Sequence, residues 1–254
     1  MSGEPSKLSA CIIAYNEADR IAQCIRSVAF CDEVIVVDSF STDSTRSIAE
    51  SFGAVVINKK WLGYGAQKEF AIRSANNDWV LCIDADERVS EELRQEIQQC
   101  QHDHFSGSVG YSIPRLTKYQ NKWIRHGTWY PDRAVRLFNR NYGRWTQARV
   151  HEKVELTAKP KPLINNLLHE GYRNHAEHAA KTEKYAQLMA EELALKGVRA
   201  SVMDVYVRSL LAFLRSLVIR QGYLDGWRGW KLAWLTAWYT KRKYALLRDM
   251  HKNK

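Results

Sequence analysis

EVIVVDSFSTDSTRSIAESFGAVVIN, residues 33–58, holds two β-branched apolar runs on either side of a polar segment. EVIVVDS (33–39) reads as a buried strand, STDSTRSIAESFG as a helix that stops at Gly53, and AVVIN (54–58) as a further strand. Strands joined through a helix run parallel, because the crossover carries the chain back to its starting end. The flanks repeat the pattern. LSACIIAY (8–15) is a buried strand, and NEADRIAQCIRSVAF follows with Ile21, Ile25 and Val28 at helical spacing and Asn16 as the expected N-cap. A helix over about 65–75 leads to WVLCID (79–84), the fourth strand. This alternation predicts an α/β fold, a parallel sheet with helices on both faces. Ligands of such sheets bind outside the carboxyl ends of the strands. Those ends carry Tyr15-Asn16-Glu17, Asp38-Ser39 and Asp84-Ala85-Asp86.

With 254 residues, 45% hydrophobic and 26% charged, the chain has ordinary globular composition and can bury one large core. Its five cysteines are odd in number and form no CxxC pair. Cys11 and Cys82 fall in strand-like runs, where cysteine acts as a small hydrophobe, which favours a reducing compartment. MSGEPSK has no apolar h-region, so no signal peptide is expected, and no run reaches the ~20 apolar residues of a spanning helix. A cytoplasmic location is expected. The net charge of +10 is unevenly placed. From Arg199 onward there are 12 Lys and Arg against 3 Asp and Glu, a net of +9, which leaves +1 for everything before. A nearly neutral body thus carries a basic tail suited to an anionic partner.

WVLCIDADE (79–87) places Asp84, Asp86 and Glu87 within four positions. Like charges that close raise one another's pKa. Either water solvates them as a loop, or something positive sits among them. The turn after the first strand, AYNEAD, has no GxGxxG, and GxxxxGK[ST] occurs nowhere, so neither a dinucleotide cradle nor a P-loop is present. Asp38 suits hydrogen bonding to a base or ribose. The DAD carboxylates suit a hard cation, Mg²⁺ or Mn²⁺, which could hold a diphosphate. The combined reading is a bound nucleotide diphosphate.

IIAYNE, VVDSFSTDST and DAD together resemble the donor half of family 2 glycosyltransferases with the GT-A fold. The resemblance covers roughly the first 100 residues and departs at Phe40 and Ser44, where glycine is common. It implies a Rossmann-like nucleotide-binding half followed by a mixed acceptor half. It also implies roles: Ala14, Tyr15 and Glu17 lining base and ribose, Asp38 on the base, and Lys68 reaching the nucleotide. Asp84 would face the ribose and Asp86 ligate the metal. The plainer readings make Asp38 and Asp43 helix caps and Lys68 a solvated helix charge.

SVGYSIPRLTKY (108–119) alternates like a strand, and the Trp-, Tyr-, His- and Arg-rich stretch after it suits a sugar platform. Inverting transfer needs a carboxylate to take the acceptor's proton. By resemblance this is Asp132, in GTWYPDRAVRLF, with Glu152, in RVHEKVEL, as the rival; the plainer reading pairs Asp132 with Arg133 or Arg136. Related enzymes often add a late histidine ligand, for which His169 is the first candidate and His151 the second. His175 and His178, at i and i+3, lack a third ligand to complete a zinc site.

The chain divides into an expected catalytic domain, 1–170, with halves at about 1–105 and 106–170, and a helical, basic, tryptophan-rich region, 171–254. VMDVYVRSLLAFLRSLVIRQG is apolar but interrupted by Arg208, Arg215 and Arg220, which makes spanning costly. Trp227, Trp230, Trp234 and Trp238 are spaced 3, 4 and 4, one stripe on a helix. With neighbouring Lys and Arg, this amphipathic region suits an anionic membrane surface rather than nucleic acid; the alternative is that the tryptophans dock as core. PDRAVRLF, RVHE, LLHEGY and GYLDGWRGW resemble the subgroup that adds β-1,4-linked glucose to inner-core heptose of lipopolysaccharide. That implies UDP-glucose as nucleotide-sugar donor, a lipid-linked saccharide acceptor, and peripheral attachment to the inner face of the cytoplasmic membrane. The rivals are a metal-dependent phosphohydrolase and a non-catalytic membrane-surface adaptor.

Overall fold

A computed structural model describes residues 4–147, 152–171 and 175–252. The chain forms two compact units, Met1–Arg115 with Arg133–His169, and Leu116–Asp132 with Glu170–Lys254.

The first unit is built on β1 (Leu8–Ala14), β2 (Glu33–Asp38), β3 (Val55–Asn58) and β4 (Trp79–Asp84), with α1 (Ile21–Ser27), α2 (Thr45–Ser51) and α3 (Tyr64–Arg73) between them. β1 pairs in parallel with β2 and with β4, and β2 with β3. β5 (Glu87–Val89) and α4 (Glu91–His102, capped by the Ser90 side chain) follow. β6 (Gly110–Tyr119) comes next; β7 (Lys122–Trp123), in the second unit, pairs with the last residues of β6. β8 (Asp132–Asn139) then lies antiparallel beside β4. β9 (Gly143–Trp145) and β10 (Val154–Leu156) form a separate hairpin-like pair. β11 (Lys161–Pro162) pairs with β6, and β12 (Leu167–His169) pairs antiparallel with β5. The sheet order is β3-β2-β1-β4-β8-β6-β12-β5.

Alternation along the buried strands feeds two cores. Leu8, Ala10, Ile12, Val36, Leu81 and Ile83 face α1, α2 and α4, whereas Cys11, Ile13, Ile35, Val37, Val80 and Cys82 face α3. A sheet covered on both faces explains why these strands are apolar throughout. Cys11 and Cys82 are register partners and both buried. Asn16 does not cap the first helix. It adopts φ 53, accepts a hydrogen bond from the Thr42 amide, and leaves α1 to start at Ile21. The side chain is used to join two turns instead.

The second unit contains α5 (His175–Leu195), α6 (Val202–Leu214) and α7 (Trp227–Lys252). α7 packs against both other helices. Ser201 and Asp204 form a reciprocal capping box at the start of α6. Tyr119, Ile124, Leu232 and Leu235 form a small core against Trp129. Among the described residues, no helix is long and apolar enough to cross a membrane.

Candidate active site

The carboxyl ends of β1, β2 and β4 converge on one edge, and the carboxylates there are not merely solvated. Four cationic side chains from distant parts of the chain sit among them. Lys68 on α3 is 2% exposed; its Nζ lies 3.0 Å from Asp84 Oδ1 and 2.8 Å from Glu152 Oε1. Arg136 on β8 donates to Asp84 Oδ2 at 3.1 Å and to Glu87 Oε1 at 2.8 Å. Arg115 on β6 donates to Glu87 at 3.4 Å, and Glu87 also accepts from the Asp84 amide at 3.0 Å. Glu87 is fully buried, which a carboxylate tolerates only when paired in this way.

Gly65 explains how Lys68 reaches this network. A β-carbon there would lie 2.0 Å from the Thr146 carbonyl oxygen, so only glycine lets the first turn of α3 approach the segment after β9. Lys68 is therefore not a solvated helix charge. Burial pushes its pKa down, but Asp84 and Glu152 more than reverse that and raise it. Burial likewise pushes Asp84 up, yet the charges of Lys68 and Arg136 hold it well below the usual carboxylate range. Arg136, opposed by burial and favoured by Glu87 and Asp84, is held above its ordinary value. All three stay ionised at neutral pH.

Asp86 is set apart from this network. Its Oδ2 lies 3.6 Å from His169 Nε2 and 3.9 Å from Arg20 Nη1, which also approaches Glu17 at 3.7 Å. The β12–β5 pairing places His169 opposite Glu87, one residue from Asp86. A carboxylate oxygen facing an imidazole nitrogen suits Mn²⁺ or Mg²⁺, and such ions commonly take only one or two protein ligands and complete their shell with phosphate oxygens and water. The donor set fits a divalent ion in that sense. Among the described residues no cluster of three His, Cys, Asp or Glu could hold a metal without such help. His151 lies outside the described residues.

Ala14 is buried, Tyr15 exposed and Glu17 half-buried at the end of β1. Asp38, also buried, accepts from both the Ser41 amide and hydroxyl, at 2.8 and 2.5 Å, so it braces the turn into α2. Asp43 accepts from Thr45 and from the Ala18 amide, and so joins the β1 and β2 turns. The two departures from the family pattern differ in cost. Ser44 has an ordinary negative φ, whereas Phe40 adopts φ 62, a left-handed conformation costing a non-glycine residue about 1 kcal/mol.

In the second unit, Asp132 is half-buried at the start of β8, just after Tyr130 and Pro131, which are joined by a cis peptide. Arg136 is committed to Asp84 and Glu87, and Arg133 donates to the carbonyls of Ser112 and Leu163. The buried Asp225 of GYLDGWRGW accepts from the Arg125 and His126 amides at 3.1 and 2.9 Å. A β-carbon on Gly229 would lie 1.7 Å from the Gly222 carbonyl oxygen, so the motif's glycines let α7 start against that turn. His178 is no zinc ligand here but packs edge-on against Tyr119 and Trp129. Trp227, Trp230 and Trp234 are more than half exposed and Trp238 half-buried, so the first three are not core.

Sequence reasoning did not assign Arg20, Arg115, Arg136 or Glu87 to the site. Arginine on an alternating strand looks like any surface charge. The available signal was the need for cations beside three clustered carboxylates.

The chain belongs to glycosyl transferase family 2, whose model matches residues 9–154. It is 33% identical over 259 residues to an uncharacterized glycosyltransferase of Rickettsia bellii, covering 96% of this chain and 87% of that one. It is 29% identical over 260 residues to the lipopolysaccharide core biosynthesis glycosyltransferase LpsC of Rhizobium meliloti, covering 94% and 93%. Among solved structures, TarS (residues 1–349) of S. aureus in complex with UDP-GlcNAc matches with TM-score 0.51 at 15% identity, covering 97% and 92%. Glucosyl-3-phosphoglycerate synthase of Mycobacterium tuberculosis, in complex with Mn²⁺, UDP and glucosyl-3-phosphoglycerate, matches with TM-score 0.51 at 18% identity, covering 77% and 82%. The fold is GT-A, and the protein is a glycosyltransferase.

Proposed function

We propose that the protein transfers glucose from UDP-glucose, with inversion, to a lipid-linked acceptor, the inner-core heptose of lipopolysaccharide, at the cytoplasmic face of a membrane. The observation that carries the metal-dependent part is the Asp86–His169 pair beside an Asp84 already neutralised by Lys68 and Arg136. Five carboxylates (Glu17, Asp84, Asp86, Glu87, Glu152) face four cationic side chains (Arg20, Lys68, Arg115, Arg136). A donor diphosphate entering that balance needs further positive charge. Asp86 and His169 would hold Mg²⁺ or Mn²⁺, which supplies neutralisation of the leaving diphosphate. The mycobacterial synthase, which shares the fold, is known with Mn²⁺ and UDP. The similarity to LpsC supports the acceptor class.

In this reading Ala14, Tyr15, Glu17 and Asp38 frame base and ribose, and Asp84 faces the ribose from a position fixed by Lys68. Asp132 takes the proton from the attacking hydroxyl. Glu152 is the weaker candidate because its Oε1 is already engaged by the buried Lys68 ammonium, 2.8 Å away. Trp227, Trp230, Trp234 and Trp238 with nearby Lys and Arg meet the anionic membrane. The similarity to glycosyltransferases favours transfer over a phosphohydrolase or a non-catalytic adaptor.

The test is a thermal-shift panel of UDP, UDP-glucose, UDP-galactose, GDP-mannose and ADP-heptose, with and without Mn²⁺, on wild type and Asp86→Asn. A ligand at 100 times its Kd stabilises by about 2.7 kcal/mol. The expected result is a Mn²⁺-dependent rise with UDP-glucose that Asp86→Asn removes. Equal rises with and without Mn²⁺ would remove the metal from the proposal, and no rise with any nucleotide would remove the donor site.

A further inference from the structure

We propose that α6 and the turn that follows it form a membrane-inserting surface, together with Trp227, Trp230 and Trp234, that seats the chain on an anionic lipid bilayer. This deepens the preceding reading, in which the tryptophan stripe of α7 alone met the membrane.

α6 is amphipathic, and its apolar face is turned to solvent. Met203, Tyr206, Val207, Leu210, Leu211 and Leu214 follow the i, i+3, i+4, i+7, i+8, i+11 spacing of one helical stripe, and they are 41 to 72% exposed. The inner side is left to Val205, which is buried, and to Phe213, whose ring lies 6.2 Å from that of Trp230. A globular helix normally buries the stripe that α6 exposes. The apolar surface continues past the helix end through Val218 and Ile219, 56 and 74% exposed, in the π-helical turn Arg215–Ile219. Continuous apolar exposure on this scale marks a surface that is covered in use.

Charge identifies what covers it. Arg215 and Arg220 bracket Val218 and Ile219, are exposed, and have no ion-pair partner among the described residues. The segment from Arg199 onward carries a net +9. A second copy would bring these arginines against their own kind. A nucleic acid would neutralise the arginines but leave Leu210, Leu211 and Ile219 in water. An anionic bilayer satisfies both parts, with apolar side chains below the headgroups and arginines among the phosphates. Trp227, Trp230 and Trp234 supply the side chains that favour the interface itself.

The experiment is vesicle flotation of the full chain with phosphatidylcholine alone and with phosphatidylglycerol mixed in. Wild type is expected to float with the anionic vesicles and weakly with the neutral ones. Leu211→Glu and Ile219→Glu should each lower the partition coefficient roughly tenfold or more. Arg215→Gln with Arg220→Gln should reduce binding to anionic vesicles only and blunt its salt dependence. If Leu211→Glu does not fold, Leu211→Ser and Ile219→Ser serve in its place. Wild-type binding that survives both apolar substitutions would overturn the proposal, as would no flotation with either vesicle. Self-association in sedimentation velocity that Leu211→Glu abolishes would give the face to a second copy instead. Nucleotide thermal shifts run in parallel keep the readings distinct. Wild type that binds UDP but does not float refutes this surface alone, whereas flotation without nucleotide binding refutes the donor site alone.

Discussion

The two units treat charge and apolar surface in opposite ways. In the first, Lys68, Arg136 and Glu87 are buried at the end of a sheet, and apolar side chains fill cores on both sides of it. In the second, arginines and lysines are mostly at the surface, and a row of leucines and tryptophans is exposed beside them. Buried ions are costly unless paired, and in the first arrangement each of these charges has a partner within about 3 Å. A contiguous row of exposed leucines and tryptophans marks an interaction surface, which the proposal above gives to an anionic membrane. In the proposed reading, one unit receives a polar ligand and the other meets an apolar medium.

The largest effect that could break this contrast is on stability in the first unit. Arg136→Met leaves buried Glu87 with Arg115, at 3.4 Å, as its remaining countercharge and is expected to cost about 3–5 kcal/mol in urea unfolding. Adding Glu87→Leu should recover part of that loss, because removing both charges costs less than stranding one. A loss under about 1 kcal/mol for the single change would mean that the network contributes little to folding.

A smaller effect appears in pH dependence. Asp84 is held below the ordinary aspartate value of 3.8, so its folded pKa is depressed. The stability it adds is therefore present above the unfolded value and lost as pH falls through that value toward the folded one. Lys68→Met removes the largest of the charges that depress it. Acid unfolding followed by tryptophan fluorescence should then begin at higher pH than in wild type. An unchanged acid midpoint would show that Lys68 is not what holds Asp84 ionised.

The smallest effect lies in the second unit. Asp225→Ala strands the Arg125 and His126 amides and is expected to cost about 1–3 kcal/mol, read as a lowered Tm. Asp225→Asn, which keeps an acceptor oxygen, should recover most of it. Equal losses in the two variants would point to the charge of Asp225, which lies 3.4 Å from His126 Nδ1, rather than to the amide hydrogen bonds.

The sequence by itself determined the parallel strands, their order of helices, and the carboxylates at the strand ends. Those follow from apolar periodicity and local punctuation, which act within a dozen residues. It placed Asn16 wrongly, because a short polar side chain can cap a helix or join two turns and the chain alone does not say which. Tertiary structure decided where the countercharges come from. Arg136 arrives because β8 lies antiparallel against β4, His169 because β12 pairs with β5, and Glu152 because Gly65 lets α3 come close to the segment after β9. Tertiary packing also decided that α6 turns its leucines outward, since an amphipathic pattern states that a face is apolar but not which way that face points. Register between distant strands and the direction of a helical face depend on what packs against them, and no local stretch of sequence carries that information.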